Sequence, residues 1–227
     1  MTRYSGLDRA TFDFLAGLAA NNDRAWFAAH RTEYEAHWLK AGLDLIEALA
    51  PLCAEMSPRL LAVPKLNASL GRIHRDTRFS KDKTPYQPRM HLILSTGEPF
   101  NKVPGMHLVL SPERLGFGAG HYGLEAQALH RLRQRVCDAD ERGALLEAIT
   151  AAERVGSRLD PPDLARVPKG YDAAPAWEAL LRRKSMIVRA PSPQPAPDWL
   201  FTSEAPEGLA RITRAHLPLL SWLRAPS

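Results

Sequence analysis

The residues whose types and spacing suit chemistry best are concentrated in one short segment, Arg72–Tyr86. Arginine offers a planar fork of N–H donors that matches phosphate or carboxylate, and lysine offers a mobile point charge. Hydroxyl donors and the rings of Phe79 and Tyr86 lie among these cations. We therefore predict that the segment binds a phosphorylated or other anionic small ligand, through Arg72, Arg75, Asp76, Arg78, Ser80, Lys81, Asp82, Lys83 and Tyr86.

The two aspartates of this segment leave a structural alternative open. Asp76 and Asp82 can hold the neighbouring arginines in a salt-bridge network that pins a loop against a sheet, or they can ligate a metal that bridges to phosphate oxygens. Side chains of an extended chain alternate between its two sides. Arg75 and Arg78 are therefore expected to point to opposite sides, one into a pocket and the other toward Asp76 or Asp82.

Two other classes of function use the same residues. A nucleic-acid-binding protein would place the basic side chains on phosphates and stack Phe79 or Tyr86 on a base. A scaffold protein would use the segment only as a structural network. The sequence identifies no catalytic group, so whether the protein is an enzyme stays open at this stage.

The charge of the chain is concentrated in the same place. The 227 residues carry a formal net charge of +5 at pH 7. From residue 72 to residue 89, six cations are opposed by only two carboxylates, which favours an anionic partner. Two cysteines cannot build a disulfide framework and have no zinc-site spacing, so we predict no metal or cofactor. Without a secretory signal or a membrane-spanning apolar run, the expected location is the cytoplasm.

Two further motifs have ordinary structural interpretations. The stretch Gly118–Gly123 matches G-x-G-x-x-G, but the acidic residue that a dinucleotide site needs about 20 residues later falls between helices. It is therefore interpreted as a glycine-permitted bend between a strand and a helix. His30, Glu33 and His37 could ligate zinc if another ligand approached, but they occupy the polar shoulder of an amphipathic helix.

The elements that would position these residues follow from the hydrophobic pattern. Asp8 is expected to cap a first helix, and a long helical pattern runs from Asp23 toward Met56, limited by Pro51. Later helices are predicted at Glu125–Val136, Glu141–Ala152, Ala174–Arg183 and Glu204–Leu223. Strands are predicted at Leu66–Ile73, Met90–Ser95, Met106–Leu110, Leu115–Phe117 and Ser185–Arg189.

This order of elements predicts an α+β fold. Helices, then consecutive strands, then helices again indicate a largely antiparallel central sheet flanked by N-terminal and C-terminal helices. The tight link Ser111–Glu113 predicts an antiparallel hairpin. We expect one domain over residues 1–227, because no flexible linker divides the chain near its middle.

The stretch Arg75–Tyr86 closely resembles the signature of an uncharacterised family, domain of unknown function 2461. Four other stretches resemble further motifs of that family in the same order: Asn21–Phe27, Gly116–Tyr122, Val167–Tyr171 and Leu180–Ser185. The resemblance implies a single-domain α+β fold and supplies no reaction. The last two stretches contain the other concentrated group of basic residues. The candidates to complete the anion site are therefore Lys169, Arg182, Arg183 and Lys184.

Overall fold

The computed structural model describes residues 4–78, 80–100, 102–171 and 174–224. Its helices are α1 (Arg9–Ala20), α2 (Arg24–Ala29), α3 (Arg31–Glu33), α4 (Ala41–Ala54), α5 (Ala126–Cys137), α6 (Ala139–Glu153), α7 (Glu178–Leu181), α8 (Ala205–Arg214) and α9 (Leu217–Arg224). A π-helical stretch, Tyr34–Lys40, joins α3 to α4, and a 3₁₀ turn, Asp198–Phe201, precedes α8. The strands are β1 (Met90–Ser95), β2 (Gly105–Ser111), β3 (Arg114–His121), β4 (Arg158–Leu159), β5 (Met186–Arg189) and β6 (Gln194–Pro195).

Within the described residues, six strands form one antiparallel sheet. The strand order is β1-β2-β3-β5-β4, and β6 pairs with β3. The predicted strand Met90–Ser95 and the predicted hairpin are confirmed, since Ser111 pairs with Arg114 across a turn in which Glu113 has φ of 54°. Helices precede and follow the main strands, so the fold is α+β with an antiparallel sheet, as predicted.

The first helix begins at the cap that the sequence indicates, and α2 is capped by Asp23, which was predicted only as the start of the long helical pattern. The Asp8 carboxylate accepts from the Ala10 N–H at 3.0 Å, and the Asp23 carboxylate accepts from the Trp26 N–H at 2.8 Å. The long helical pattern after Asp23 is realised as α2, α3, the π-helical stretch and α4 in succession. Its apolar stripe is buried in the core, at Phe27, Tyr34, Trp38, Leu45 and Leu49.

The strand predicted at Leu66–Ile73 is wrong. Asn67 adopts a left-handed conformation with φ of 62°, and its N–H donates to the Leu70 carbonyl at 2.8 Å. The segment therefore turns back on itself and pairs with the sheet through an isolated bridge between Leu70 and Leu92. The limit predicted at Pro51 is also wrong, because α4 continues through Pro51 to Ala54.

The helix predicted at Glu204–Leu223 is divided into α8 and α9. The His216 N–H donates to the Thr213 carbonyl, which tightens the last turn of α8, and Pro218 has no N–H with which to continue the ladder. The helix predicted at Ala174–Arg183 is confined to α7. Both differences arise from local hydrogen bonding that apolar periodicity does not encode.

The glycines of the stretch Gly118–Gly123 have two structural roles. Gly118 and Gly120 allow β3 and β5 to pair closely, and Gly123 lies in the turn to α5. A Cβ on Gly118 would lie 2.5 Å from the Cβ of Arg189, and one on Gly120 would overlap the Met186 carbonyl oxygen. The backbone of β5 therefore approaches β3 at positions where only glycine fits. Gly123, with φ of 57°, lies in the turn between β3 and α5, in agreement with the bend predicted there.

Candidate functional site

The basic segment folds as a narrow hairpin outside the main sheet. The Arg75 N–H donates to the Pro85 carbonyl and the Gln87 N–H to the Ile73 carbonyl, each at 2.8 Å, with His74 bridged to Tyr86 between them. Residues 73–75 and 85–87 are thus the two arms of the hairpin, which we call the basic hairpin. Residues 76–84 form its tip.

A single side chain from the turn between α1 and α2 fixes the basic hairpin in place. The Asn22 Nδ2 donates to the Tyr86 carbonyl at 3.0 Å, and the Asn22 Oδ1 accepts from the Tyr86 N–H at 3.0 Å. The Tyr86 ring stacks on the Phe27 ring at 4.1 Å between centroids, with 13° between the planes. Both rings are buried, so the hairpin is joined to the N-terminal helices by hydrogen bonds and by apolar contact.

Between this turn and the basic hairpin lies an open cleft of about 690 Å³. Residues 22–25 line one side, and the other side is lined by His74, Arg75, Thr77, Lys83, Pro85 and Tyr86. Three cationic side chains face it, those of Arg24, Arg75 and Lys83. The only carboxylate among the described lining residues is that of Asp23, which already caps α2. The cleft therefore has an excess of positive charge.

Two ion pairs hold the tip of the hairpin. Arg75 Nη1 lies 2.7 Å from Asp82 Oδ2, and Arg78 binds Asp76 through two hydrogen bonds, Nε to Oδ1 at 3.0 Å and Nη2 to Oδ2 at 2.7 Å. The hydrogen bonds from Arg78 hold the pKa of the Asp76 carboxyl below its usual range. The pKa of Asp82 is also lowered, chiefly by hydrogen bonds from Thr84 and then by the charge of Arg75. Both carboxylates are therefore ionised at neutral pH.

The cationic side chains of the cleft differ in the hydrogen-bond and ion-pair partners that the protein gives them. Lys83 Nζ donates to the Thr77 carbonyl at 2.8 Å, so its position is fixed without neutralising its charge. Arg75 Nε is buried and has no acceptor among the described residues, although Asp82 pairs with the same guanidinium. No described residue pairs with the guanidinium of Arg24. The exposed charges of Arg24 and Lys83 thus remain available to an anion that enters the cleft, whereas the Arg75 Nε atom is shielded from solvent.

The structure brings some of the predicted site residues together and separates others. Arg75, Lys83 and Tyr86 line the cleft, whereas Arg78 pairs with Asp76 at the hairpin tip. Of the other predicted residues of the segment, Ser80, Lys81 and Asp82 lie in the tip. Arg72 precedes the first arm, and its charge contributes to the lowered pKa of Asp76. The predicted stacking residue Phe79 lies outside the described residues.

Lys169 is exposed in the connection between β4 and α7, outside the group of described residues that line the cleft. The basic residues predicted beside it make local contacts. Arg182 Nη1 donates to the Ala165 carbonyl at 3.2 Å, and Arg183 Nη1 donates to the Asp160 carbonyl. They stabilise the connection that precedes α7.

Among the lining residues that sequence reasoning did not name as parts of a site are Asn22, Asp23, Arg24 and His74. Asn22 and Asp23 were visible only as the signals that end one helix and begin the next. Their place in the motif Asn21–Phe27, which accompanies the basic segment in the resemblance, was the signal that could have indicated a shared site.

The helix-shoulder interpretation of His30 agrees with its contacts. Its ring lies 3.9 Å from the Trp26 ring in a stacked arrangement, and its Nδ1 is 2.8 Å from the Trp26 carbonyl oxygen. In the part of the chain that the structure describes, no three histidine, cysteine, aspartate or glutamate side chains are grouped to hold a metal ion.

Comparisons with known proteins identify one match. A family model described as "Conserved hypothetical protein (DUF2461)" matches residues 10–222. No curated protein and no solved structure matches the chain. None of the helices in the described ranges is both long and apolar enough to cross a membrane.

Proposed function

The chain belongs to the conserved hypothetical family DUF2461, and we propose that it binds a phosphorylated or otherwise anionic small molecule in the cleft beside the basic hairpin. The observation that carries this proposal is the convergence of Arg24, Arg75 and Lys83 on one cleft whose described carboxylate, Asp23, is already engaged as a helix cap. An anion in the cleft would provide the countercharge that Arg24 and Lys83 lack among the described residues.

The size and rigidity of the cleft support a small ligand. Its volume of about 690 Å³ falls within the range of roughly 300–1,000 Å³ that is typical of small-molecule sites. The hairpin arm that forms one wall is held by stacking of the Tyr86 ring on Phe27 and by the two hydrogen bonds between the Asn22 side chain and the Tyr86 backbone. A wall fixed in this way lowers the entropic cost of ordering the site when the ligand binds.

The ion pair at Arg75 is part of the proposed site rather than an argument against it. Asp82 binds the guanidinium through Nη1, and 31% of the Arg75 side chain is still exposed to solvent. An arginine oriented by a carboxylate can still donate to phosphate through its other edge. An anion in the cleft can therefore share the Arg75 guanidinium with Asp82, although the negative charge of Asp82 opposes its binding.

Binding of pyrophosphate measured by isothermal titration calorimetry tests the proposal. We expect saturable binding with a stoichiometry of one and no comparable heat from a neutral sugar. A single-stranded oligonucleotide is titrated in parallel at several salt concentrations, because each neutralised phosphate steepens the dependence of log K on log salt by about 0.7 for a single strand.

The outcomes separate the three functions. Pyrophosphate binding with weak oligonucleotide binding supports a small-anion site. Strong oligonucleotide binding with a slope of several, and none of pyrophosphate, supports a nucleic-acid-binding protein instead. If neither binds, the basic hairpin is a structural network and the proposal is wrong.

A further inference from the structure

A second cavity lies on another part of the molecule, and it combines charge with an apolar wall. It measures about 350 Å³ and is formed where the connection between β1 and β2, the end of β3, α5 and α9 meet. It shares no described lining residue with the cleft beside the basic hairpin. An inference about it is therefore independent of the proposed function.

One face of α5 provides both kinds of side chain. Ala128 and Leu132 are four residues apart, and Arg131 lies beside them on the same side of the helix. Leu132 is buried, and Leu124 and Leu223 add partly buried apolar surface to the same cavity. The inner wall is therefore hydrocarbon over an area that a short aliphatic or aromatic chain could cover.

The cations lie toward solvent. Lys102 and Arg224 are exposed and Arg131 is partly buried, and none of the three has an ion-pair partner among the described residues. The lining residues in the described ranges include no carboxylate. A partly buried guanidinium without a counterion is unfavourable, and a bound anion would relieve that cost.

A fourth cation, Arg135, is committed to the framework of the cavity. Its guanidinium binds Glu141 through Nη2 at 2.7 Å and donates from Nη1 to the Trp222 carbonyl at 2.7 Å. It also lies 3.8 Å from the centroid of the Trp222 ring. These contacts hold α5 against α6 and α9, so the wall of the cavity formed by Arg135 and Trp222 is fixed. Arg131 remains available to bind an anion.

We propose that this cavity binds a small amphipathic carboxylate, whose head group is held by Arg131 and Lys102 and whose hydrocarbon tail packs against Leu124, Leu132 and Leu223. Charge alone selects an anion, and the apolar wall selects one that carries a tail. Inorganic phosphate and pyrophosphate satisfy only the first condition, which separates this site from the cleft beside the basic hairpin.

Calorimetric titration of butanoate, hexanoate and octanoate into the full chain tests the proposal. We expect the affinity to rise roughly fourfold for each buried methylene group, until the tail fills the cavity. 1-Octanol, which has the tail without the charge, should bind at least tenfold more weakly than octanoate. Equal affinities for the three acids, equal binding of 1-octanol, or no binding of octanoate would each overturn the proposal.

Variants locate the site. Arg131→Gln and Lys102→Gln should each weaken octanoate binding at least fivefold, while Arg59→Gln, which removes an exposed charge elsewhere, should leave it within twofold. Ala128→Phe should fill the cavity and abolish octanoate binding without changing pyrophosphate binding. If Ala128→Phe fails to fold, the two charge variants still test whether octanoate binds in this cavity, because they alter exposed or partly exposed side chains. Unchanged octanoate binding in both of them would show that the acid binds elsewhere.

Discussion

Asn22 forms a hydrogen bond with each polar backbone group of Tyr86, a residue 64 positions later in the chain. Its amide thus acts as a short cross-link between the turn after α1 and the basic hairpin. The same pairing places Arg24 opposite Arg75 and Lys83 across the cleft. The Asn22 amide and the stack of Tyr86 on Phe27 together therefore set the position of the proposed site.

Asn22→Ala is expected to destabilise the protein. The substitution leaves a partly buried N–H and carbonyl of Tyr86 unsatisfied, which costs about 1–3 kcal/mol. Urea unfolding measures the change, and Asn21→Ala is the matched control, since the Asn21 side chain donates only to the nearby Gly17 carbonyl at an exposed site. Equal free energies of unfolding in the two variants would show that Asn22 does not hold the hairpin.

Asp82→Asn is expected to tighten pyrophosphate binding severalfold. The variant keeps an oxygen to accept from Thr84 but removes the charge that competes with a ligand for Arg75. Because the Arg75 and Asp82 side chains are both partly exposed, the free energy of unfolding should change by no more than about 1 kcal/mol. Calorimetry and urea unfolding on the same sample check both statements. Weaker binding together with a large loss of stability would favour the structural network.

Stability is expected to fall as the pH is lowered from about 6.5 to 5. Burial lowers the pKa of His91 to about 3, and burial also lowers the pKa values of His107, His121 and His216. Below the usual histidine pKa of about 6.5, these histidines bind protons in the unfolded chain but stay neutral in the folded chain. Lowering the pH therefore favours the unfolded state. Each such histidine contributes a slope of up to about 1.4 kcal/mol per pH unit.

Urea unfolding at pH 8, 7, 6 and 5 measures this dependence. Stability should be nearly constant from pH 8 to 7 and should then decline. The ion-paired carboxylates of Asp76 and Asp82 have lowered pKa values, so their stabilisation is lost only at a lower pH and does not contribute in this window. A stability that is constant or rises from pH 6.5 to 5 would show that these histidines are not held neutral.

Two glycines of β3 are expected to differ in their tolerance of alanine. At Gly118 a Cβ would lie 2.5 Å from the Cβ of Arg189, so Gly118→Ala should cost about 1–3 kcal/mol by forcing β3 and β5 apart. At Gly116 the nearest atom would be 3.7 Å away, so Gly116→Ala should cost less than about 1 kcal/mol. Thermal unfolding of the two variants provides the comparison, and an equal loss would contradict the close approach of β5.

Local signals in the sequence predicted much of the fold. The Asp8 cap, the alternating strand Met90–Ser95 and the Ser111–Glu113 turn depend on residues within a few positions of each other, and each was predicted. The Leu66–Ile73 segment was mistaken for a strand because its apolar residues fit a strand equally well. The left-handed Asn67, which reverses the chain, has no signature in hydrophobic periodicity.

The candidate site was predictable only in part, for a related reason. The sequence indicates the charges of the basic segment, and an odd spacing separates Arg75, which faces the cleft, from Arg78, which pairs with Asp76. The opposite wall could not be derived, because the contact between Asn22 and Tyr86 spans 64 residues and no local pattern encodes it. Long-range pairing of this kind depends on how the hairpin docks against α1 and α2.

The measurement that tests the proposed site most directly compares pyrophosphate binding to Lys83→Gln and Lys81→Gln. Both substitutions remove one exposed lysine charge from the tip of the same hairpin, but only Lys83 lines the cleft among the described residues. Loss of one charged hydrogen bond, at about 1.5–3 kcal/mol, predicts that Lys83→Gln weakens binding at least tenfold. Lys81→Gln should remain within about twofold of the parent, because screening weakens an exposed charge outside the cleft. Equal weakening in both variants, or none in either, would contradict a site in this cleft.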